Sequence, residues 1–487
     1  MADLRRSLVI NFFSSSGASL LQFIVSILLA RILSPSEIGI FSMTVVVVNI
    51  AHIFREFGVS TYLQREPHLT AEKVRAAIGV LITSSWLIAL GLFLLSSSIG
   101  RWFSEPQIVP VMQVLAMGFL FIPFGSVTHA LLIREFAADK QAIVTAVATV
   151  TYCVTCLGLA SAGCGSMSLA WANLANIVVS ALVYIPLRPK GYPSMPSFRH
   201  WRGVLHFGAG TLISNCASAV NNAIPDLLLG KLGSARLVGL SSRANSTVSI
   251  FTYIAGTTVT YGAVSYMSQA HDRGESLVPI LRRATSLLTA FGWPALALTA
   301  ILGKEIVLAL YGERWLDCVP AILPFTLMAA VSMLFHYTPV ALIAIGRPYL
   351  GAVPVLLTLI ARLLFGYFLF DGTLLSFAWA MCLATIVALP IQAVQQRRYL
   401  GFGTWQLLRS MTGSLLVTLG CLALAEVMRM VLPESIPAVL RLALIGLPLT
   451  GLWYVMLRIT GHELLAEVHH FMGGVKTRVM KLGGLNP

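Results

Sequence analysis

Charge is what this sequence lacks. Of its 487 residues only 11% are charged, while 57% are hydrophobic. An ordinary soluble domain carries about 25% charge, and a soluble chain of this length needs that charge to cover its surface. Acidic residues are the scarcer kind, 19 Asp and Glu against 33 Lys and Arg, which leaves a net charge of +14. No basic block and no patch interleaved with aromatics accompanies that surplus, so nucleic acid is excluded as a partner. The 7 cysteines are odd in number and lie mostly within apolar runs, which excludes a disulfide framework. Cys153-x-x-Cys156, with Cys164 nearby, has neither a His nor a second pair beside it and reads as soft packing rather than a metal site. Long polar segments are missing too. No loop exceeds about 20 residues, a length typical of short membrane-protein loops. There is no phosphate-cradling glycine loop, metal cluster or nucleophile arrangement, so neither an enzyme activity nor a cofactor is expected.

What is present is a succession of apolar runs, and the mean hydropathy is +0.83. A helix needs about 20 such residues to cross the hydrocarbon of a bilayer. The runs are Val9–Leu33, Ile38–Tyr62, Ala77–Ile99, Val109–Ile133, Ala142–Ala162 and Ser168–Leu187. After a proline-rich polar boundary at Arg188–Arg199 come Val204–Leu229, Leu237–Met267, Ala284–Leu302, Val319–Ile345, Leu350–Phe370, Leu374–Ala393, Leu407–Met430 and Val439–Leu457. The first run is too long for a signal peptide and lacks a cleavage site. The reading is an all-α membrane protein of about 14 transmembrane helices. With the N-terminus inside, most Lys and Arg fall in alternate loops on the cytoplasmic side, as the positive-inside bias requires, and both termini are then cytoplasmic. After the last span, Leu464, Leu465, Val468, Phe471 and Met472 share one helical face next to basic residues, which suits either an interfacial helix or a frayed tail.

The chain also repeats. A shift of 200 residues brings Ile24, Leu28, Leu29, Ser34, Gly39 and Ser42 onto Ile224, Leu228, Leu229, Ser234, Gly239 and Ser242, and Arg31 onto Lys231. The expected domains are a six-helix lobe over 1–190, a second over 191–400, two additional helices over 401–460 and a tail over 461–487. An even number of spans per half gives the two pseudo-symmetric halves one orientation, with a substrate path between them, which suits a transporter.

Three arginines fall inside spans: Arg55, Arg243 and Arg362. A charge near the bilayer centre costs about 2.5–3.5 kcal/mol on insertion scales, so such a group faces a cavity or a partner. The planar guanidinium donates two parallel hydrogen bonds to a phosphate and stays charged. Each arginine keeps a second reading, as a snorkelling or helix-pairing cation. Asn221, Asn222 and Asp226 form a polar patch suited to sugar hydroxyls, to a coupling cation or to interhelical hydrogen bonds. Asp226 and Glu56 are the ion-coupling candidates, and His336 reads as a satisfied buried histidine. Pro225, Pro294, Pro324 and Pro339 mark bends.

Several segments resemble a known family. Leu29-Ala-Arg-Ile-Leu-Ser-Pro-Ser-Glu-Ile-Gly-Ile, Glu56-Phe-Gly-Val-Ser, Leu131-Leu-Ile-Arg-Glu-Phe, Asp226-Leu-Leu-Leu-Gly-Lys-Leu-Gly, Gly239-Leu-Ser-Ser-Arg-Ala, Tyr311-Gly-Glu-Arg-Trp and Ala344-Ile-Gly-Arg occur in order over roughly residues 10–400. They resemble Wzx-type polysaccharide flippases, in the WzxC-like polysaccharide transport branch of the multidrug/oligosaccharidyl-lipid/polysaccharide exporter superfamily. The resemblance implies flipping of undecaprenyl-pyrophosphate-linked oligosaccharide across the bacterial inner membrane for exopolysaccharide or lipopolysaccharide biosynthesis. It implies membrane lipid, a polysaccharide polymerase and export machinery as further partners. In the related lipid II flippases, cavity arginines lie on spans 1, 2 and 8. This chain offers Arg55 and Arg243 for the last two, and only Arg31, near an outer end, for the first. The rival within the superfamily is a cation-coupled multidrug exporter.

Overall fold

A computed structural model describes residues 2–469 apart from 57, 67, 194, 198–200, 261–262, 434 and 468. Side chains are further left undescribed at 2–9, 11–13, 65, 202–215, 217–218, 250–260 and 263–265. Every described element is a helix. The chain divides into two compact units, Met1–Leu240 and Ser241–Pro487.

The first unit contains α1 (Ala2–Ile32), α2 (Pro35–Glu56), α3 (Val59–Arg65), α4 (Ala71–Phe103), α5 (Ile108–Arg134), α6 (Ala138–Ser161), α7 (Ser166–Leu187), α8 (Trp201–Leu232) and the start of α9 (Ala235–Thr260). The second contains the rest of α9, then α10 (Ala263–Asp272), α11 (Val278–Ile301), α12 (Gly303–Leu310), α13 (Val319–Ser332), α14 (Thr338–Ala344) and α15 (Ala352–Phe368). It ends with α16 (Leu374–Val387), α17 (Leu389–Leu400), α18 (Thr404–Ser410), α19 (Thr412–Val431) and α20 (Ala438–Ile459). Twelve helical segments among the described residues are long and apolar enough to cross a membrane. The expected spans Val204–Leu229 and Leu237–Met267 fall on α8, α9 and α10, whose side chains are described only in part. Lipid-facing positions are apolar where a soluble protein would place charge: Val353, Leu356, Ile360 and Tyr367 on α15 are all exposed.

In the first unit, α5 packs against α4 and α7, and α6 against α1 and α7. Val59, Leu63, Val74, Leu81 and Leu131 form a fully buried core where α3, α4 and α5 meet. Ser34-Pro-Ser-Glu37 is a capping box. The Ser34 N–H and Oγ–H both donate to Glu37 Oε2, at 2.7 and 2.8 Å, and the Glu37 N–H donates to Ser34 Oγ at 3.3 Å. Ser234 starts α9 in the same way, its Oγ accepting from the Leu237 N–H at 3.3 Å. These two starts cross with backbone against backbone. A methyl group added at Gly39 would lie 1.7 Å from the Ala235 carbonyl oxygen, and one added at Gly239 would lie 1.9 Å from the Pro35 carbonyl oxygen. Arg134, the last residue of α5, donates to the carbonyls of Leu63 at 3.0 Å and Glu66 at 2.6 Å. It closes the end of α3.

In the second unit, α11 packs against α19, and α19 against α20. The span expected over Val319–Ile345 is broken: α13 gives way to a 3₁₀ turn at Met333–Phe335 before α14 begins. Pro339 stands in the first turn of α14, where its missing N–H leaves no orphan, and Pro390 does the same in α17. Pro225, Pro294 and Pro324 lie inside uninterrupted helices. Arg441 on α20 and Glu305 on α12 form a buried ion pair at 3.2 Å, with side chains 8% and 7% exposed. Arg441 also donates to the Arg429 and Leu432 carbonyls, at 2.9 and 3.3 Å. Removing one partner of a buried pair costs about 3–5 kcal/mol, because the survivor is left buried and uncompensated. Glu305→Leu is therefore expected to lower the thermal unfolding midpoint in detergent by several degrees. The double variant Glu305→Leu/Arg441→Met is expected to recover most of that loss. Equal midpoints for wild type and the single variant would show the pair to be solvated.

Beyond α20 the chain turns back onto α11. His462, 8% exposed, accepts the Leu464 N–H on Nδ1 at 3.1 Å, which leaves Nε2 3.0 Å from Ser286 Oγ and 3.2 Å from Ser414 Oγ. Arg283 pairs with Glu467 at 2.6 Å and Arg282 with Glu463 at 3.4 Å. Burial pushes the His462 imidazole below its usual value of 6.5 against the opposing pull of Glu463. The folded state thus holds the ring neutral, so docking is at full strength above pH 6.5 and weakens as pH falls below it. Amide exchange at Leu464 should accelerate over that range in wild type and show no such step in His462→Gln. Of the expected tail face, Val468, Phe471 and Met472 lie outside the described residues.

Candidate functional site

The expected site residues separate between the units. Arg55, Glu56, Asn221, Asn222 and Asp226 belong to the first, and Arg243 and Arg362 to the second. Within the first unit Asp226 and Arg55 stand at different heights along α2. Gly230 on α8 abuts Met43 on α2, which puts Asp226 about one turn from Met43. Arg55 lies twelve residues further along α2, roughly 18 Å at 1.5 Å per residue. Asp226 is half-buried, and no ion pair to it occurs among the described residues; Asn221 is half-buried and Asn222 exposed.

Arg55 is the buried one, 9% exposed at the end of α2. Its terminal nitrogen donates to Ser126 Oγ on α5 at 3.1 Å. Ser126 spends its own proton on the Ile122 carbonyl at 3.0 Å, so its remaining lone pair receives the arginine. Arg55 Nε is buried without a hydrogen-bond partner, and no carboxylate lies in ion-pair range of the guanidinium among the described residues. Buried polar atoms are nearly always satisfied, and one left open on a cation is suited to receive an anion. Glu56, next in sequence, is half-buried.

Ser126 opens onto a polar cavity of about 260 Å³ between α5 and α7, lined by His129, Asn176, Ser180 and Tyr184. His129 Nδ1 lies 2.9 Å from the Tyr184 hydroxyl, and Asn176 donates to the Ala148 carbonyl at 2.9 Å. Reading the sequence for charge missed these groups. Their signal was spacing: Ser126 and His129 are three apart on one helix, and Asn176, Ser180 and Tyr184 are four apart on another, each set a single polar stripe in an apolar span.

Arg243 is held differently. Its guanidinium carbon lies 5.7 Å from the ring centroids of both Tyr311 and Trp315. Thr247, one turn along α9, reaches the Tyr311 hydroxyl at 3.5 Å. The Tyr311-Gly-Glu-Arg-Trp segment thus supplies an aromatic box for this cation. Arg362 is half-buried on α15. The second unit also holds an apolar cavity of about 440 Å³ among α11, α19 and α20, lined by Phe291, Leu298, Cys421, Leu449 and Trp453.

The fold has close counterparts. The solved lipid II flippase MurJ in an inward closed conformation superposes with a TM-score of 0.73, covering 92% of this chain and 99% of that one at 12% identity. In sequence, the chain is 24% identical over 325 residues to the succinoglycan biosynthesis transport protein ExoT of Rhizobium meliloti, covering 64% of this chain and 63% of that protein. It is 21% identical over 308 residues to the lipopolysaccharide biosynthesis protein WzxC of Escherichia coli, covering 63% and 62%. The chain thus aligns with just under two thirds of the length of these relatives. The family described as polysaccharide biosynthesis protein matches residues 28–320, a stretch that takes in Arg55, the α5–α7 cavity, Asp226 and Arg243. That match covers more than half of this multi-pass membrane chain, and the protein belongs to the polysaccharide biosynthesis protein family.

Proposed function

We propose that this protein flips polyprenyl-pyrophosphate-linked oligosaccharide units across the bacterial inner membrane by alternating access, with undecaprenyl as the carrier and both termini cytoplasmic. The observation that carries the reading is Arg55: a buried guanidinium with an open N–H, no carboxylate in ion-pair range among the described residues, and a hydroxyl-lined cavity at its edge. Pyrophosphate would satisfy the cation, and the polar cavity is suited to the first sugar. The apolar cavity of the second unit is suited to isoprenoid carbons. Asp226, Asn221 and Asn222 would serve sugar hydroxyls or a coupling ion, with Glu56 as the second coupling candidate. Arg243 and Arg362 would complete the cationic lining. The division at 1–190, 191–400, 401–460 and 461–487 belongs to the same proposal, on the strength of the 200-residue repeat. A polymerase and export machinery would receive the product. No bond is made or broken, so no catalytic residue is assigned.

A cationic drug would be repelled by the buried Arg55, which disfavours the drug-exporter alternative. The direct test is reconstituted flipping of a fluorescent lipid-linked oligosaccharide in proteoliposomes. Protection of the label from an external quencher that changes with time only when the protein is present supports the proposal. Transport of a cationic dye without flipping would overturn it.

A further inference from the structure

The loops joining α10 to α11 and α14 to α15, together with the end of α17, enclose a polar cavity of about 360 Å³. His271, Glu275, Arg347, Arg398 and Tyr399 line it. It lies within the second unit, on the side that the Lys/Arg bias marks as cytoplasmic. Two guanidinium groups share one aromatic ring there: Arg347 lies 5.2 Å and Arg398 5.7 Å from the Tyr399 ring centroid. The arrangement is built rather than incidental. The buried Gln395 side chain donates to the Leu350 carbonyl at 2.8 Å, tying α17 to the turn that follows Arg347. The Arg347 N–H donates to the Leu342 carbonyl at 2.8 Å, just after Gly346 turns the chain at φ +74°.

Both arginines are exposed and line the cavity together with Glu275. Glu275 is in ion-pair range of Arg273 at 4.0 Å, while Glu463 and Glu467 are engaged by Arg282 and Arg283. No carboxylate lies in ion-pair range of Arg347 or Arg398 among the described residues. Immediately beside the cavity the surface turns apolar: Tyr349 is 66% and Val394 60% exposed. A tyrosine and two arginines at the border of a lipid-facing surface stand at headgroup depth.

The geometry points to a phosphate-binding site for the headgroup of an anionic phospholipid, with Arg347 and Arg398 as the anion clamp and Tyr399 as the platform that holds both. A phosphate in the cavity would draw charge-assisted hydrogen bonds from the arginines that line it. This site is separate from Arg55 and does not depend on the substrate proposed above.

The test uses the full-length protein in detergent, probed with phosphatidylglycerol, phosphatidylcholine or inorganic pyrophosphate, and read by native mass spectrometry and thermal midpoint. Phosphatidylglycerol is expected to bind and raise the midpoint, while phosphatidylcholine leaves it unchanged. At about 1 kcal/mol per arginine near the surface, Arg347→Gln/Arg398→Gln should weaken phosphatidylglycerol binding roughly 30-fold. Tyr399→Leu, which keeps both charges, serves as a second variant should the double one aggregate, and it should weaken binding less. An arginine-dependent shift with pyrophosphate alone would support the same phosphate chemistry from a soluble source. Phosphatidylglycerol binding that is equal in wild type and variants, or no binding of either phosphate probe, would overturn the site.

Discussion

Arg55→Ala is expected to abolish polysaccharide export in a cell that depends on this protein, with the protein still present at normal abundance. The guanidinium is buried and donates to one hydroxyl, and its open Nε has no protein partner. Truncating one member of a buried charge pair costs about 2–5 kcal/mol, which corresponds to roughly 30-fold or more in affinity. Stability should change little, because the side chain contributes one hydrogen bond to Ser126 and its charge is costly to bury. Arg55→Lys should fall between the two, since it keeps the charge but loses the parallel pair of donors. Initial flipping rates of a labelled lipid-linked oligosaccharide in proteoliposomes would rank the three. Wild-type rates for Arg55→Ala would remove Arg55 from the substrate path.

The second large effect is expected at the crossing of α2 and α9. A methyl group at Gly39 or Gly239 would meet a backbone carbonyl oxygen at 1.7 or 1.9 Å. A backbone atom has no alternative rotamer, so the helices themselves must separate. Overpacking of this kind costs about 1–3 kcal/mol or more. Gly39→Val and Gly239→Val should therefore each lower the unfolding midpoint by several degrees and impair transport. Gly91, inside α4, has nothing within 4 Å of an added methyl, and Gly91→Ala should be neutral or stabilising. Similar midpoints for all three variants would show that the crossing tolerates separation.

The sequence made the helices plain because lipid leaves no other way to satisfy the backbone, and about 20 apolar residues in a row are hard to misread. Several family-like segments turned out to be architecture. Ser34 to Glu37 is a helix cap, Arg134 closes α3, and Tyr311 with Trp315 boxes Arg243. Each is a local device whose residue types follow from its geometry. Charge alone singled out Arg55, since a charge in a span is costly and conspicuous, and the structure buries it. The cavity beside it was not legible in the same way. Ser126, His129, Asn176, Ser180 and Tyr184 are mild polar groups, each unremarkable in a helix that can satisfy it locally. Only the packing of α5 on α7 gathers them. The break before α14 was likewise hidden, because the turn at Met333–Phe335 is as apolar as the helices on either side of it.

The α2–α9 crossing carries one more consequence. The 200-residue shift maps Pro35 onto Ala235 and Gly39 onto Gly239. In the structure Gly39 meets Ala235 and Gly239 meets Pro35. Residue i touches j′ while j touches i′, which is the definition of an isologous contact in a two-fold dimer. In two separate copies of a shared ancestor, one codon would have set both sides of that contact at once. In this single chain two codons must keep the same small residue independently, and a change in either is enough to pry the helices apart.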